Sequence, residues 1–383
     1  MWSIGVTRRN YGAEKTVYGA VHPGLAFHRV GFLPLQRVSA DPFWRHATMV
    51  AASSRVDLVH LFNDTPLACT RPWITTFEDR YPLGRDGRLR RLALRQAAGP
   101  RCRAVVAFTE DARRRLRADP VAGPVLDRKC EVVLPCVPRE DDLYVRHLAF
   151  LDAHPAGAGP LRLLFVGVKA FLKGLEFALD AVAPLVAAGD ATMTVVSALE
   201  PDTYVSRADA ARVAALRARL ATSPGVTHHA RLPARGVREA MAVHHLLLFP
   251  TLDETFGYVL PEAFATGLDV VTTATRAIPE IVAPDDRARL IALPLDALGG
   301  WTGVRAWRTA GDAAYAAAWA DARERCVVGL RARVAAVRAD PAALRARAGA
   351  LRARYEAVFS PEALGARLAA LYARVATGTP GRS

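Results

Sequence analysis

The chain has 383 residues, 51% hydrophobic and 23% charged, with a formal net charge of +14. That length exceeds what one hydrophobic core usually serves and points to two domains, and no apolar run approaches the roughly 20 residues that a bilayer span needs. The positive excess favours polyanionic partners and leaves nucleic acid, an anionic membrane surface and phosphorylated substrates all open. The start MWSIGVTRRN has no long apolar core after a basic flank, so the expectation is a cytoplasmic protein. Five scattered cysteines, Cys69, Cys102, Cys130, Cys136 and Cys326, never fall as C-x-x-C and read as reduced, buried thiols.

In chain order, strands are expected at 3–6, weakly within 24–35, and clearly at 56–62 (VDLVHLF) and 73–77 (WITTF). AVVAF at 104–108 runs into Thr109, which can cap the helix EDARRRLRA, and EVVLP at 131–135 repeats the pattern. Residues 152–160 (DAHPAGAGP) lack apolar periodicity and read as the linker between a first domain, 1–155, and a second, 160–358. Beyond it the alternation restarts: strand 161–167, helix 173–188, strand 191–197, helix 207–221, then GVTHHA, a helix near 237–243, strand 245–250, a helix containing Glu262, and strand 269–274. Strands alternating with helices make the fold class α/β, with doubly wound parallel sheets. The Ala- and Arg-rich stretch 312–375 reads as helices with a solvated basic face rather than a nucleic-acid surface, and Ser360-Pro361 is a strong start for a last helix.

In open parallel sheets ligands bind beyond the carboxyl ends of strands, so loops there carry most weight. The first, 167–174 (GVKAFLKG), joins a turn-permitting Gly167 to a helix start beside Lys173, a combination that suits a phosphate or diphosphate. Two of the chain's four lysines, Lys169 and Lys173, lie in it. The second is FPTLDETFGYVLPEAFATG at 249–267. Pro261 is tolerated only in a first helical turn, so the helix begins between about Tyr258 and Pro261. The amides of Phe256 to Val259 then stand at a helix start, where phosphate oxygens can lie, while Glu254 and Glu262 can accept hydrogen bonds from sugar hydroxyls. His60 and the pairs His228-His229 and His244-His245 read as structural, since neighbours on a strand point to opposite faces.

Glu254-x7-Glu262 within DETFGYVLPEAFATG, followed by VVTTATRAIPEIV and preceded by LLFVGVKAFLKGLEFALDAV, resembles the retaining family 4 glycosyltransferases of the GT-B fold. The similarity is good over 161–283 and looser in the first half. It implies two Rossmann-like domains facing a central cleft, the first holding the acceptor and joined by a C-terminal helix at 360–378, the second holding a nucleotide-sugar donor. By position it implies Lys173 on the donor diphosphate, Glu254 beside the donor sugar and Glu262 on the ribose hydroxyls. Gly167, Lys169, Thr255, Phe256, Gly257 and Tyr258 then line phosphate and sugar, and Arg231 and Leu232 pass the base. The implied reaction transfers a sugar to a hydroxyl acceptor by front-face displacement, with no cofactor and no obligatory metal. The family's first-domain histidine is replaced by Phe77-Glu78-Asp79, which puts Glu78 in its place as a catalytic candidate. Its Gly-Gly before IPE is replaced by Arg276-Ala277, its glycine-containing segment after the next strand by Ser197-Ala198-Leu199, and its N-terminal glycine-rich loop by a stretch holding Arg8 and Arg9. Rival readings are a sugar-nucleotide epimerase or phosphorylase on the same fold, or a non-catalytic basic binder of polyanions. No sequence-specific nucleic-acid partner is expected, and the charge allows peripheral contact with an anionic membrane.

Overall fold

A computed structural model describes residues 1–7, 16–34, 47–51, 55–81 and 87–377. The chain divides into two units, one built from Met1–Pro138 and Ala357–Ser383 and the other from Arg139–Glu356.

The first unit holds β1 (Trp2–Val6), β2 (Leu25–Arg29), β3 (Gly31–Pro34), β4 (Ala47–Ala51), β5 (Leu58–Phe62), β6 (Thr65–Cys69), β7 (Trp73–Phe77), β8 (Cys102–Ala107) and β9 (Cys130–Val132). Its main sheet has the order β2-β1-β5-β7-β8-β9, every pair parallel. A small sheet, β3-β4-β6, lies apart from it. β5 and β7 are buried along their whole length, as expected of strands covered on both faces. The last helix, Pro361–Thr377, presents Leu364, Leu368, Leu371, Tyr372 and Val375 as one apolar stripe against Ile4, Val6, Leu58, Ile74 and Val106 of that sheet. Ser360 caps it, its hydroxyl accepting the Ala363 N–H at 3.1 Å.

The second unit holds β10 (Leu161–Val166), β11 (Ala191–Val196), β12 (Val226–His229), β13 (Leu246–Phe249) and β14 (Asp269–Thr272). They form one parallel sheet in the order β12-β11-β10-β13-β14. The order runs outward in both directions from β10 and β13, so the connections leave these two neighbours on opposite sides and open a crevice at their carboxyl ends. The chain's division falls earlier than the composition implied. Helix Asp141–Ala153 belongs to the second unit and packs on helices Val259–Thr266 and Ala342–Arg354, so DAHPAGAGP is a loop inside that unit. The chain returns to the first unit within a single π turn, Tyr355–Phe359.

Many arginines of the C-terminal helices are ion-paired rather than merely solvated. Arg333 and Arg347, with Arg289, converge on Asp269, whose carboxylate is 3% exposed, at 3.0 to 3.2 Å. No described helix is long and apolar enough to cross a membrane.

Candidate functional site

The two loops singled out in the sequence follow β10 and β13, the neighbours at which the sheet order reverses. Local backbone chemistry brings them together. Gly174 has φ +78°, and a Cβ there would overlap the carbonyl oxygen of Pro250. The glycine thus permits both the turn into helix Leu175–Ala187 and the close approach of the β13 loop. The Leu252 N–H donates to the Leu172 carbonyl at 2.9 Å, fastening one loop to the other. At Gly167 a Cβ would lie 2.9 Å from Cγ of Lys173, so the missing side chain makes room for the lysine stem.

Lys173 Nζ donates to Glu254 Oε2 at 2.7 Å and to the Asp253 carbonyl at 2.8 Å, and sits 5.7 Å from the centre of the Phe249 ring. The lysine and glutamate side chains are 17% and 13% exposed, so the pair is poorly solvated yet open to a ligand. Gly257 has φ +81°, and its Cα side faces Cγ of Glu254, where a Cβ would stand 3.0 Å away. Phe256 is buried and meets Tyr258 edge-on at 4.8 Å between centroids. Helix Val259–Thr266 begins at Tyr258 and ends at Gly267 in the left-handed conformation.

Glu262 lies in the first turn of that helix. Burial pushes its carboxyl up to about 7, while Arg238, 3.5 Å away, pulls in the opposite direction and Glu140 adds to the rise. Arg238 itself is held by Glu140 at 2.6 Å. One Glu140 oxygen and the Arg238 Nε are buried without a hydrogen-bond partner.

The other expected residues are more dispersed. Lys169 is exposed and pairs with Asp202 at 3.5 Å, apart from the Lys173–Glu254 pair. Arg231, 82% exposed and 3.7 Å from Glu200, and the half-buried Leu232 follow the edge strand β12, two strands from β10. Thr255 is half-buried beside Glu254 in the chain. Glu78 belongs to the first unit, in the bend after β7. Arg8 and Arg9 lie outside the described residues. Four of the five singled-out histidines have structural partners, while His229 is exposed: His60 Nδ1 meets the Tyr372 hydroxyl at 2.7 Å and Nε2 the Thr76 hydroxyl at 2.6 Å. His244 meets Ala240 O and Thr194 Oγ1, His245 meets His154 O and the Arg162 N–H, and His228 meets Ser197 O.

Two features of the site had no sequence signal of their own. One is the Glu140–Arg238–Glu262 chain of carboxylate and guanidinium groups. The other is the backbone at the two glycine-replaced positions: Leu199 and Arg276 both take left-handed φ, +53° and +46°.

Residues 160–298 match the family model described as "Glycosyl transferases group 1". The matched residues lie within the second unit. No curated protein matches the chain. Among solved structures the chain is similar to HepE of Anabaena in complex with UDP and glucose, at 13% identity over 97% of this chain and 99% of that one, with a TM-score of 0.58. It is also similar to a sucrose-phosphate synthase from Thermosynechococcus elongatus, at 15% identity over 99% and 100%, TM-score 0.57. A third is WaaG, a glycosyltransferase involved in lipopolysaccharide biosynthesis, at 15% identity over 97% and 99%, TM-score 0.56. At such identities the likeness speaks for the fold, GT-B with two Rossmann-like units. The Lys173–Glu254 pair and Glu262 fall inside the matched residues.

Proposed function

We propose that this protein is a retaining glycosyltransferase of the family 4 type, which moves a sugar from a nucleotide-sugar donor to a hydroxyl acceptor. The observation that carries the reading is the half-buried Lys173–Glu254 contact of 2.7 Å, set at the reversal of the sheet order and beside the start of helix Val259–Thr266. A diphosphate arriving there meets an ammonium group and a helix start, both of which stabilise an anion. It would draw Lys173 toward itself and release Glu254 to the donor sugar.

In the proposed reaction the bond from the anomeric carbon to the diphosphate oxygen breaks. The acceptor oxygen bonds to the same face, and the acceptor proton passes to the departing diphosphate. Lys173 and the helix-start amides of Phe256, Gly257 and Tyr258 hold the charge that develops on that diphosphate, a role in which electrostatics are worth most. Glu254 orients the sugar and Glu262 the ribose hydroxyls. Gly167, Lys169 and Thr255 line the phosphate and sugar side, Arg231 and Leu232 the base, and Glu78 is the candidate that receives or orients the acceptor in the first unit. Transfer needs no divalent metal in this scheme. The net charge of +14 suits peripheral contact with an anionic membrane from the cytoplasmic side.

The test is a screen of common nucleotide sugars for donor hydrolysis and transfer, with excess chelator in a parallel series. Lys173→Ala and Glu254→Gln are expected to lose on the order of 100-fold or more in rate while staying folded at the assay temperature, and the product keeps the donor's anomeric configuration. Wild-type rates in either variant, an inverted product, or release of a free epimer would each overturn the reading.

A further inference from the structure

The loop after β14 carries Arg276, whose side chain is 5% exposed and whose Nη1 lies 3.1 Å from Asp253 Oδ1. Its backbone stands at φ +46°, a region that residues with a Cβ occupy at a cost of about 1–2 kcal/mol. Surrounding bonds maintain that conformation. The Arg276 N–H donates to the Gly299 carbonyl at 2.8 Å, and the hydroxyls of Thr273 and Thr275 both donate to the Thr251 carbonyl. The β14 loop therefore grips the β13 loop at Thr251 and at Asp253.

The charge balance explains why an arginine occupies this place. Asp253 and Glu254 are neighbours in the chain at the candidate diphosphate site; Lys173 meets Glu254 through its carboxylate and Asp253 through the carbonyl. The Asp253 carboxylate is 31% exposed, and without the Arg276 cation its charge would weigh more heavily against an incoming diphosphate. We propose that Arg276 is a positioning residue of the donor site, which neutralises Asp253 and fixes the β13 loop so that Lys173 is available to a nucleoside diphosphate. This inference rests on the donor-site reading above. Because the guanidinium is nearly fully buried, it acts through Asp253 rather than by touching the donor.

The experiment measures calorimetric binding of UDP, GDP, ADP and TDP to wild type, R276G, D253N and the double variant. Glycine suits the left-handed backbone, so R276G keeps its fold, which thermal unfolding checks. R276G is expected to bind about tenfold more weakly or worse. The double variant returns to within about threefold of wild type, because the repelling charge has gone, and D253N alone binds at least as tightly as wild type. A purely structural role for Arg276 would not be rescued by D253N. The proposal is overturned if R276G binds like wild type, if the double variant is no better than R276G, or if D253N alone weakens binding tenfold. If wild type binds none of the four nucleotides, the donor-site reading itself fails, and the inference with it.

Discussion

Glu262→Gln offers a stability test in the ligand-free protein. Burial raises the Glu262 carboxyl from 4.5 to about 7, with Arg238 opposing. A carboxyl whose folded value lies above its unfolded one favours folding fully below the unfolded value, and that contribution is lost as pH rises through the folded value. Each unit of difference is worth a little over about 1 kcal/mol, and integrating between about pH 5 and about pH 8 gives roughly 2–3 kcal/mol lost by the wild type. The side chain keeps 22% of its surface, so water relieves part of the penalty and about 2 kcal/mol is the working figure. Glutamine cannot ionise and lacks this slope. Relative to wild type, the variant should therefore gain about 2 kcal/mol between those two pH values, or about 4–8 °C in melting temperature for a unit of this size. The assay is urea or thermal unfolding of both proteins at each pH, read as a difference so that the buried histidines cancel. These titrate with the opposite sign, His60 being pushed down to about 3 and His244 to about 4 by burial. A difference that stays flat with pH, or that moves against the variant as pH rises, would refute the reasoning.

Three further substitutions probe what holds the site and the sheets in place. Gly174→Ala should lower stability by about 2–4 kcal/mol and displace Lys173, since a Cβ at φ +78° meets the Pro250 carbonyl; unfolding and nucleotide titration check both effects. Lys129→Met should cost about 2 kcal/mol in urea unfolding, because the three N–H groups of Lys129 Nζ are shared among the carbonyls of Ala97, Ala98, Gly99 and Cys102, 2.8 to 3.2 Å away, and close the end of helix Gly87–Ala98. Tyr372→Phe should cost about 1–3 kcal/mol, again by urea unfolding, since it strips a partner from the fully buried His60 ring.

The strands that build the site were plain in the sequence because strands buried on both faces must be apolar throughout. LLLF is such a run and LRLLFV nearly so, broken only by the half-buried Arg162, and β10 and β13 fall within a residue or so of the expected bounds. The start of the helix after Phe256-Gly257 was legible for a different reason, the absence of an N–H at Pro261. β6 was missed because TPLAC contains a proline, which argues against a central strand; the structure puts it at the edge of a three-stranded sheet, where proline is tolerated. The domain boundary was misplaced because composition marks a loop but not the unit on which the neighbouring helix packs. Arg238 gave no sign of meeting Glu262, since that contact joins two helices with no shared local pattern. At Arg276 the sequence showed only that a glycine was missing. That the arginine keeps a glycine-like backbone, and turns its charge to Asp253, depends on three loops converging.

In the proposed reaction an ammonium group and a helix start at the reversal of the second sheet absorb the charge of a departing diphosphate. The most direct measurement is a crystal structure with UDP or whichever nucleoside diphosphate titration selects. Phosphate oxygens are expected about 3 Å from Lys173 Nζ and from the amides around Gly257, with the ribose hydroxyls on Glu262. A nucleotide seated elsewhere, with Lys173 still bound to Glu254, would contradict the proposed reaction.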